Sequence, residues 1–508
     1  MNNLALVLVT PLLAAVTSIL SRKTRFKDQI AFTGALIYLS SVVLLAYEVM
    51  ETGSVTLQAG GWAAPYGITL IADHLSVLML SLTSLVALAI VLYSWGFIST
   101  KGKESGYYGF IFFMITGMSG AFITGDLFNL FVMFEIVLMS SYALVAYSGS
   151  KESLFISLKY VVLNLIGSSL MLVAIGGLYS ITGTLNMAHM AQILSEGSVN
   201  MAPILGLASI LFCVFAVKSA LAPFHFWAPP VYANSPAPAS AIMSGISKKV
   251  GIYAVIRMYL TVFSQAKIPQ TAILFAGKSV THAVGHLAIF MATITILLGG
   301  ISALNREKLD KLLSYSSIGQ VGFIFVPLSI AMIQGFQQAL TASLVYIVAH
   351  GVAKPALFMI SGVIKKLTGT TNLEDLGGLS ESSFLLSSSF FILIFSLIGI
   401  PPLLGFFAKL LSFQAAFNFG KPFVLALLFI GSLTTLLYGS KAWLKIFFGE
   451  TVEYDCSKVS KKELFSIIIL VTTLLVVSLQ FEPVYLLVEE ASKSGLNTEK
   501  YIETVLQE

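Results

Sequence analysis

Phe212-Cys-Val-Phe-Ala-Val-Lys218, followed closely by Ala222-Pro-Phe-His-Phe-Trp-Ala-Pro-Pro-Val-Tyr-Ala-Asn-Ser-Pro-Ala-Pro-Ala-Ser-Ala241, is the stretch on which the fold turns. It ends an apolar run of membrane-crossing length (203–222) in a lysine and a cluster of prolines. Proline removes a backbone donor and clashes with the preceding turn. A lysine in a bilayer core costs several kcal/mol. Both survive in a membrane only where protein or water meets the freed polar groups.

Apolar runs flank this stretch on both sides. They fall near 3–20, 29–50, 68–98, 107–124, 126–147, 156–180, 203–222, 240–263, 282–304, 312–332, 336–364, 384–418, 422–448 and 464–488. Over 508 residues, 57% are hydrophobic and 10% charged, against about 25% charged in a soluble domain. The runs have the length of membrane spans and are too evenly apolar for barrel strands. An all-α polytopic membrane protein of about 14 transmembrane helices is expected. The third, eleventh and twelfth runs are long enough to be kinked or broken. Met1 to Leu20 lacks the charged start and small-residue cleavage site of a signal peptide, so it reads as the first helix.

With the N-terminus outside, the inner loops hold Arg22, Lys23, Arg25, Lys27, Lys101, Lys103, Lys151, Arg306, Lys308, Lys311, Lys365, Lys366, Lys458, Lys461 and Lys462. The outer segments hold only Lys267, Lys278, Lys421, Lys493 and Lys500. This is a positive-inside bias; it predicts a multi-pass protein of a prokaryotic plasma membrane with both termini outside. The net charge of +5 follows from such loops and does not point to nucleic acid. Polar stretches at 181–202, 365–383 and 449–463 read as loops, and the tail after Val488 as short and mildly acidic.

A second break, Gly399-Ile-Pro-Pro-Leu-Leu-Gly405, interrupts the twelfth run. Interrupted helices in matching positions of two halves point to a transport site. These two lie five runs apart, and a repeat of five helices inverts with respect to the membrane.

Ionisable side chains inside spans are functional candidates. Glu135, in Leu130-Phe-Val-Met-Phe-Glu-Ile-Val-Leu-Met139, has only apolar neighbours at helical spacing, so its partner must come from another helix; Lys218 is the counterpart expected within charge-pairing reach. The structural alternative is a static ion pair. Lys248 and Lys249 open the eighth run. Lys248 can equally be an anchor snorkelling to the headgroups, and Lys249 is the better interior candidate. Ser343, Tyr346, His350 and Lys354 form one stripe on the eleventh run, suited to a hydrated relay or to a polar packing seam. Lys409 follows the second break with no carboxylate near in sequence. His225, in the first break, is placed to couple Lys218 to the next site. Asp73-His74 reads as the start of the third helix, and Arg257 as an anchor or a partner. His282 and His286 have a metal-compatible spacing without a second ligand pair, so they read as helix-start histidines. Cys213 and Cys456 form no metal or disulfide pattern, and there is no P-loop or Rossmann glycine pattern. No cofactor and no metal are expected, nor any redox or hydrolytic site in the chain itself.

Five segments together resemble a known family: Gly125-Asp-Leu-Phe-Asn-Leu-Phe-Val-Met-Phe-Glu-Ile136, Lys218-Ser-Ala-Leu-Ala-Pro-Phe-His-Phe-Trp-Ala-Pro229, Lys249-Val-Gly-Ile-Tyr253, His350-Gly-Val-Ala-Lys-Pro-Ala-Leu-Phe358 and Gly399-Ile-Pro-Pro-Leu-Leu-Gly-Phe-Phe-Ala-Lys409. They resemble the antiporter-like subunits shared by Mrp sodium/proton antiporters, membrane-bound energy-converting hydrogenases and respiratory complex I. The chain is most similar to the Mrp D subunit and its hydrogenase counterpart. The resemblance implies fourteen helices with two inverted five-helix repeats and discontinuous helices 7 and 12. It divides the chain into N-terminal helices 1–3 (1–106), repeat one (107–263), repeat two (264–448), and helix 14 with a short tail (449–508), without a long lateral helix. It assigns Glu135 and Lys218 as a coupled pair, Lys249 and His350 as central relay sites, and Lys409 as the distal proton site. Lys248, Lys354 and His225 rank below these. It implies partner membrane subunits, protons as cargo and sodium as a candidate second ion. The alternatives are the equivalent pumping subunit of a redox-driven complex and, more remotely, a stand-alone substrate transporter.

Overall fold

The computed structural model describes residues 3–21, 24–272, 274–449 and 454–506. Arg22 and Lys23, counted above among inner charges, lie outside the described residues. The first helices are α1 (Asn3–Leu20), α2 (Thr24–Thr52), α3 (His74–Phe97), α4 (Tyr107–Ile123), α5 (Leu127–Ala146), α6 (Lys151–Thr182) and α7 (Ile204–Ser219). The run 237–262, here α8, begins as α-helix and widens to π-helix at Met243–Ser247 and Ile256–Val262. Then come α9 (Val280–Leu304), α10 (Leu309–Gln334), α11 (Gln337–Thr368), α12 (Phe384–Ile398), α13 (Leu404–Phe419), α14 (Pro422–Phe447) and α15 (Lys461–Leu479).

Among the described residues, 11 helical stretches are long and apolar enough to cross a membrane, with α4 and α12 as shorter apolar helices. Side chains at their starts fix where several begin: Asp73 accepts from Ser76 N, Asp126 from Asn129 N and Ser150 from Ser153 N, which satisfies donors a helix leaves unpaired. The apolar windows of α10 and α11 are 94% and 100% buried, against 33% for α1 and 39% for α6 and α14. The two former helices are the centre of the bundle, and the latter turn apolar flanks outward.

Both proline-marked runs are broken. α7 stops at Ser219, with Ala220 in a left-handed conformation (φ 57°), and the chain turns through Phe224–Trp227 before the helix Ala228–Asn234. α12 stops at Ile398 and α13 starts at Leu404. By contrast α11 runs unbroken through Pro355.

Two expectations need correction. The third run does not begin as a helix: Thr69–Asp73 is a strand, β2, paired antiparallel with β1 (Ser54–Gln58) from Ser54 opposite Asp73 to Gln58 opposite Thr69. A short apolar run cannot be told from a helix segment by periodicity alone. The fourteenth run also does not reach 488. α15 ends at Leu479, and two further helices follow, α16 (Phe481–Leu496) and α17 (Thr498–Leu506). They fold back onto the bundle: Thr341 Oγ1 donates to Ser492 Oγ at 2.9 Å, Thr261 Oγ1 to Gly495 O at 3.1 Å and Gln58 Nε2 to Val505 O at 3.4 Å. The tail is thus a cover over the hairpin end of the bundle. Asn3 Nδ2 donates to Glu48 Oε2 at 2.9 Å, near the end of α2 that leads into β1. The first and last described segments therefore share the hairpin end.

Candidate functional site

Glu135 sits on α5 at the rim of the bundle, partly exposed. Ser168 Oγ of α6 donates to its Oε1. Lys218, in the last turn of α7 and buried, donates to Ser168 Oγ at 3.2 Å and to Asn164 Oδ1 at 3.4 Å. A cation suits this carbonyl end of a helix. The expected neighbours are therefore brought together but not into a direct ion pair; Ser168 stands between them. Asn164 and Ser168 went unnoticed in the sequence, although their spacing of four on an apolar helix puts them on one face. Around the break, Trp227 Nε1 donates to Val217 O at 2.8 Å and Ala222 N to Thr295 Oγ1 at 2.9 Å, which meets polar groups freed by the interruption. His225 is buried there, and its Nδ1 has no hydrogen-bond partner among the described residues. It makes no hydrogen bond with Lys218 among the described residues.

The second group lies where α8, α10 and α11 meet. Lys249 Nζ is 2.7 Å from His350 Nδ1 and donates to Gly245 O in the π-helical turn. Lys248 does not snorkel. It is 1% exposed and donates to Ser317 O at 2.9 Å and to Ser317 Oγ. Ser317 Oγ is in turn 3.5 Å from His350 Nε2. One serine thus links the two neighbouring lysines through the imidazole. A Cβ on Gly245 would lie 2.3 Å from Pro355 Cγ, so glycine is what lets α8 approach α11 beside His350. One turn along α11, Lys354 Nζ donates to Ser316 Oγ at 2.8 Å and Leu313 O at 3.1 Å. The expected stripe on α11 faces α10 along its length: Ser343 donates to Ile324 O at 2.9 Å, Tyr346 reaches Gln320, His350 reaches Ser317 and Lys354 reaches Ser316.

From Lys354 a hydroxyl network continues. Ser316 Oγ donates to the Tyr438 hydroxyl at 2.9 Å, Gln320 Nε2 to Tyr438 at 3.2 Å and the Tyr346 hydroxyl to Gln320 Oε1 at 2.5 Å. Tyr346 stacks on Phe323, with ring centroids 5.6 Å apart, and Lys409 Nζ lies 5.0 Å above that ring. Lys409 itself donates to Ile398 O at 2.8 Å. From beyond the break it therefore caps the helix before the break. Gly399 makes this possible: its φ of 94° is a left-handed value, and a Cβ there would meet Lys409 Cδ at 2.8 Å. Gln320, Ser316 and Ser317 on α10 and Tyr438 on α14 were not singled out in the sequence.

Among the described residues the ion pairs are Lys103–Asp28, Arg257–Asp73, Lys366–Glu463, Lys445–Glu374 and Lys493–Glu490. None neutralises Lys218, Lys248, Lys249, Lys354 or Lys409. These amines are held by carbonyls, hydroxyls and an imidazole. Such partners accept hydrogen bonds from an amine without supplying an opposite charge. Asp73 starts α3 as expected, Arg257 is its partner, and His282 is a helix-start residue whose N–H donates to Ser279 Oγ at 3.1 Å.

The family model for the transmembrane part of NADH:quinone oxidoreductases and Mrp antiporters matches residues 124–436, a span that holds every candidate from Glu135 to Lys409. The D subunit of the Na(+)/H(+) antiporter of Alkalihalophilus pseudofirmus is 35% identical over 514 residues, covering 100% of both chains. A chain of the Mrp complex from a Dietzia species is 25% identical, covers 100% of both chains and superposes with a TM-score of 0.89. A chain of the archaeal membrane-bound sulfane sulfur reductase is 28% identical, covers 99% of both and gives a TM-score of 0.90.

Proposed function

This chain belongs to the NADH:quinone oxidoreductase/Mrp antiporter transmembrane family, and from that premise we propose that it is the proton-moving subunit of a multisubunit sodium/proton antiporter of the Mrp type. The observation that carries the reading is the buried series of amines, from Lys218 beside Glu135 to Lys409, held without carboxylates beyond the first. The 35% identity over the full length of an antiporter D subunit supports antiport over a redox-driven pump.

In this reading Glu135 and Lys218 are the coupled pair, with Ser168 as the link that lets their separation vary. Bridged by Ser168 Oγ, which lies 3.2 Å from Lys218 Nζ, the two charges are about 6 Å apart, and at an effective dielectric of about 20 they interact by about 3 kcal/mol, more than a tenfold change in an equilibrium. Withdrawing Glu135 from Lys218 removes that stabilisation of the charged amine, and its return restores it, which empties and loads Lys218. The charge change passes to Lys249 and His350, with Lys248 and Lys354 as flanking members, and along the Ser316–Tyr438–Gln320–Tyr346 hydroxyls to Lys409. Water bridges the intervals too long for direct contact. His225, its Nδ1 unpartnered in the first break, is the remaining candidate. The fold is read as fourteen crossings with two inverted five-helix units, 107–263 and 264–448, and both termini on the outer side of the plasma membrane. Other membrane subunits complete the complex.

The test is sodium-dependent proton movement in everted vesicles that carry the complete complex in a host without other antiporters. Added sodium should collapse the pH gradient; a complex indifferent to sodium overturns antiport. For topology, a single cysteine at position 458 in an otherwise cysteine-free variant should react only from the inner side and one at position 54 only from the outer. Labelling of 458 from outside sinks the fourteen-crossing arrangement. Gly399→Ala should cost about 1–2 kcal/mol for the left-handed backbone and push Lys409 off Ile398 O. The expected result is an assembled complex with transport lowered several-fold, and unchanged transport would show that this contact does not matter.

A further inference from the structure

A second charged cluster lies between the central amines and the hairpin end. Lys249, Tyr253 and Arg257 follow one another at four-residue steps on α8, so they share a face that climbs towards that end. The Tyr253 hydroxyl donates to Phe122 O at 2.6 Å, lies 3.0 Å from Ser76 Oγ and accepts from Arg257 Nη2 at 3.1 Å. Arg257, 1% exposed, holds both carboxylate oxygens of Asp73 at 2.9 Å. Asp73 is fixed in turn by the Ser76 N–H at 2.9 Å. The guanidinium lies 5.5 Å from the Tyr253 ring and 4.9 Å from that of Tyr501, on the covering helix α17.

Beyond the pair is a cavity of about 20 Å³ lined by Asp73, Ser494, Asn497, Lys500 and Tyr501, among others, enough for one water molecule. The Tyr501 hydroxyl, on a residue that lines this cavity, is buried with no hydrogen-bond partner among the described residues, and so are Arg257 Nε and Nη1 on the inner side of the pair. One face of α8 thus carries Lys249, Tyr253 and Arg257 towards the hairpin end, where Asp73 borders that cavity. Left conducting, this face would drain protons from the centre before they reached Lys409. One member cannot conduct: arginine has donors only and keeps its charge at any physiological pH. A fixed arginine in a narrow polar passage is also a barrier to protons.

We propose that Arg257, clamped by Asp73 and covered by Tyr501, is the seal that keeps protons at the Lys249–His350 site from escaping to the hairpin end. This rests on the relay reading, but the test reads passive leak and needs no sodium exchange. The intact complex, in proteoliposomes containing a pH-sensitive dye, is given a potassium–valinomycin potential without sodium. Arg257→Gln leaves Asp73 buried without its cation and free to take a proton, so proton influx should rise several-fold. Arg257→Lys keeps the pair with a cation that can release its proton, and should give a smaller rise. Lys103→Gln breaks the other buried pair, with Asp28, far from this passage, and should leave leak at the unsubstituted level. Unchanged leak in an assembled Arg257 variant, or an equal rise in Lys103→Gln, overturns the seal. Should Arg257→Gln fail to assemble, Arg257→Lys decides alone. A wild-type complex with no sodium response would sink antiport and still leave this comparison readable.

Discussion

Glu135→Ala is expected to bring sodium-dependent proton movement down to background while the complex still assembles. Two features separate assembly from transport here. Glu135 is partly exposed at the rim, and its described hydrogen bond is from Ser168 Oγ. Removing it empties no buried core and leaves Ser168 free to pair with Lys218, which already reaches it and Asn164. The folding cost is thus that of one hydrogen bond, about 1 kcal/mol. The cost to transport is total in the proposed scheme, because among the described residues Glu135 is the one carboxylate set against the series of buried amines. Without it Lys218 has no opposite charge to respond to, and no signal reaches Lys249 and His350. Glu135→Gln should fail equally, since it keeps the acceptor oxygen but not the charge. Co-purification of the partner subunits reports assembly, and dye recovery on sodium addition reports transport. Full transport by either variant would be decisive against the pair.

The sequence revealed the membrane class, both interrupted helices and the amines Lys218, Lys249, Lys354 and Lys409 within the spans, because these features announce themselves residue by residue. A cluster of prolines or a lysine in mid-run stands out against an apolar background. What it hid were the partners. Ser168, Ser316, Ser317 and Gln320 are unremarkable on apolar helices, where hydroxyls often bond their own helix's carbonyls; only packing decides which of them face a lysine. The hairpin was hidden for another reason: Thr69–Asp73 is short, apolar and continuous with α3, so nothing in its pattern forced a strand. The placement of Lys248 was undecided because an anchor and an interior site look alike at a helix start. Burial against Ser317 removes the anchor reading.

Lys409→Arg should assemble and fail to transport. Lysine and arginine are alike in charge and reach, so the replacement keeps a cation that can cap the carbonyl end of α12 at Ile398 O and lie over Phe323, the two contacts that hold Lys409. A purely structural role would therefore survive it. The two differ in what a buried relay needs. A lysine surrounded by carbonyls and an aromatic face can lose its proton, whereas arginine releases one hardly at all. Transport through a guanidinium at this position would stop with the site permanently loaded, and the stationary charge would also oppose protons arriving from Tyr346 and Gln320. Lys409→Ala provides the contrast. It uncaps α12, so lowered thermal stability should accompany its loss of transport, while the arginine variant should keep the stability and lose the activity. Sodium-driven proton movement at the normal rate in Lys409→Arg would require proton release at this position to be abandoned.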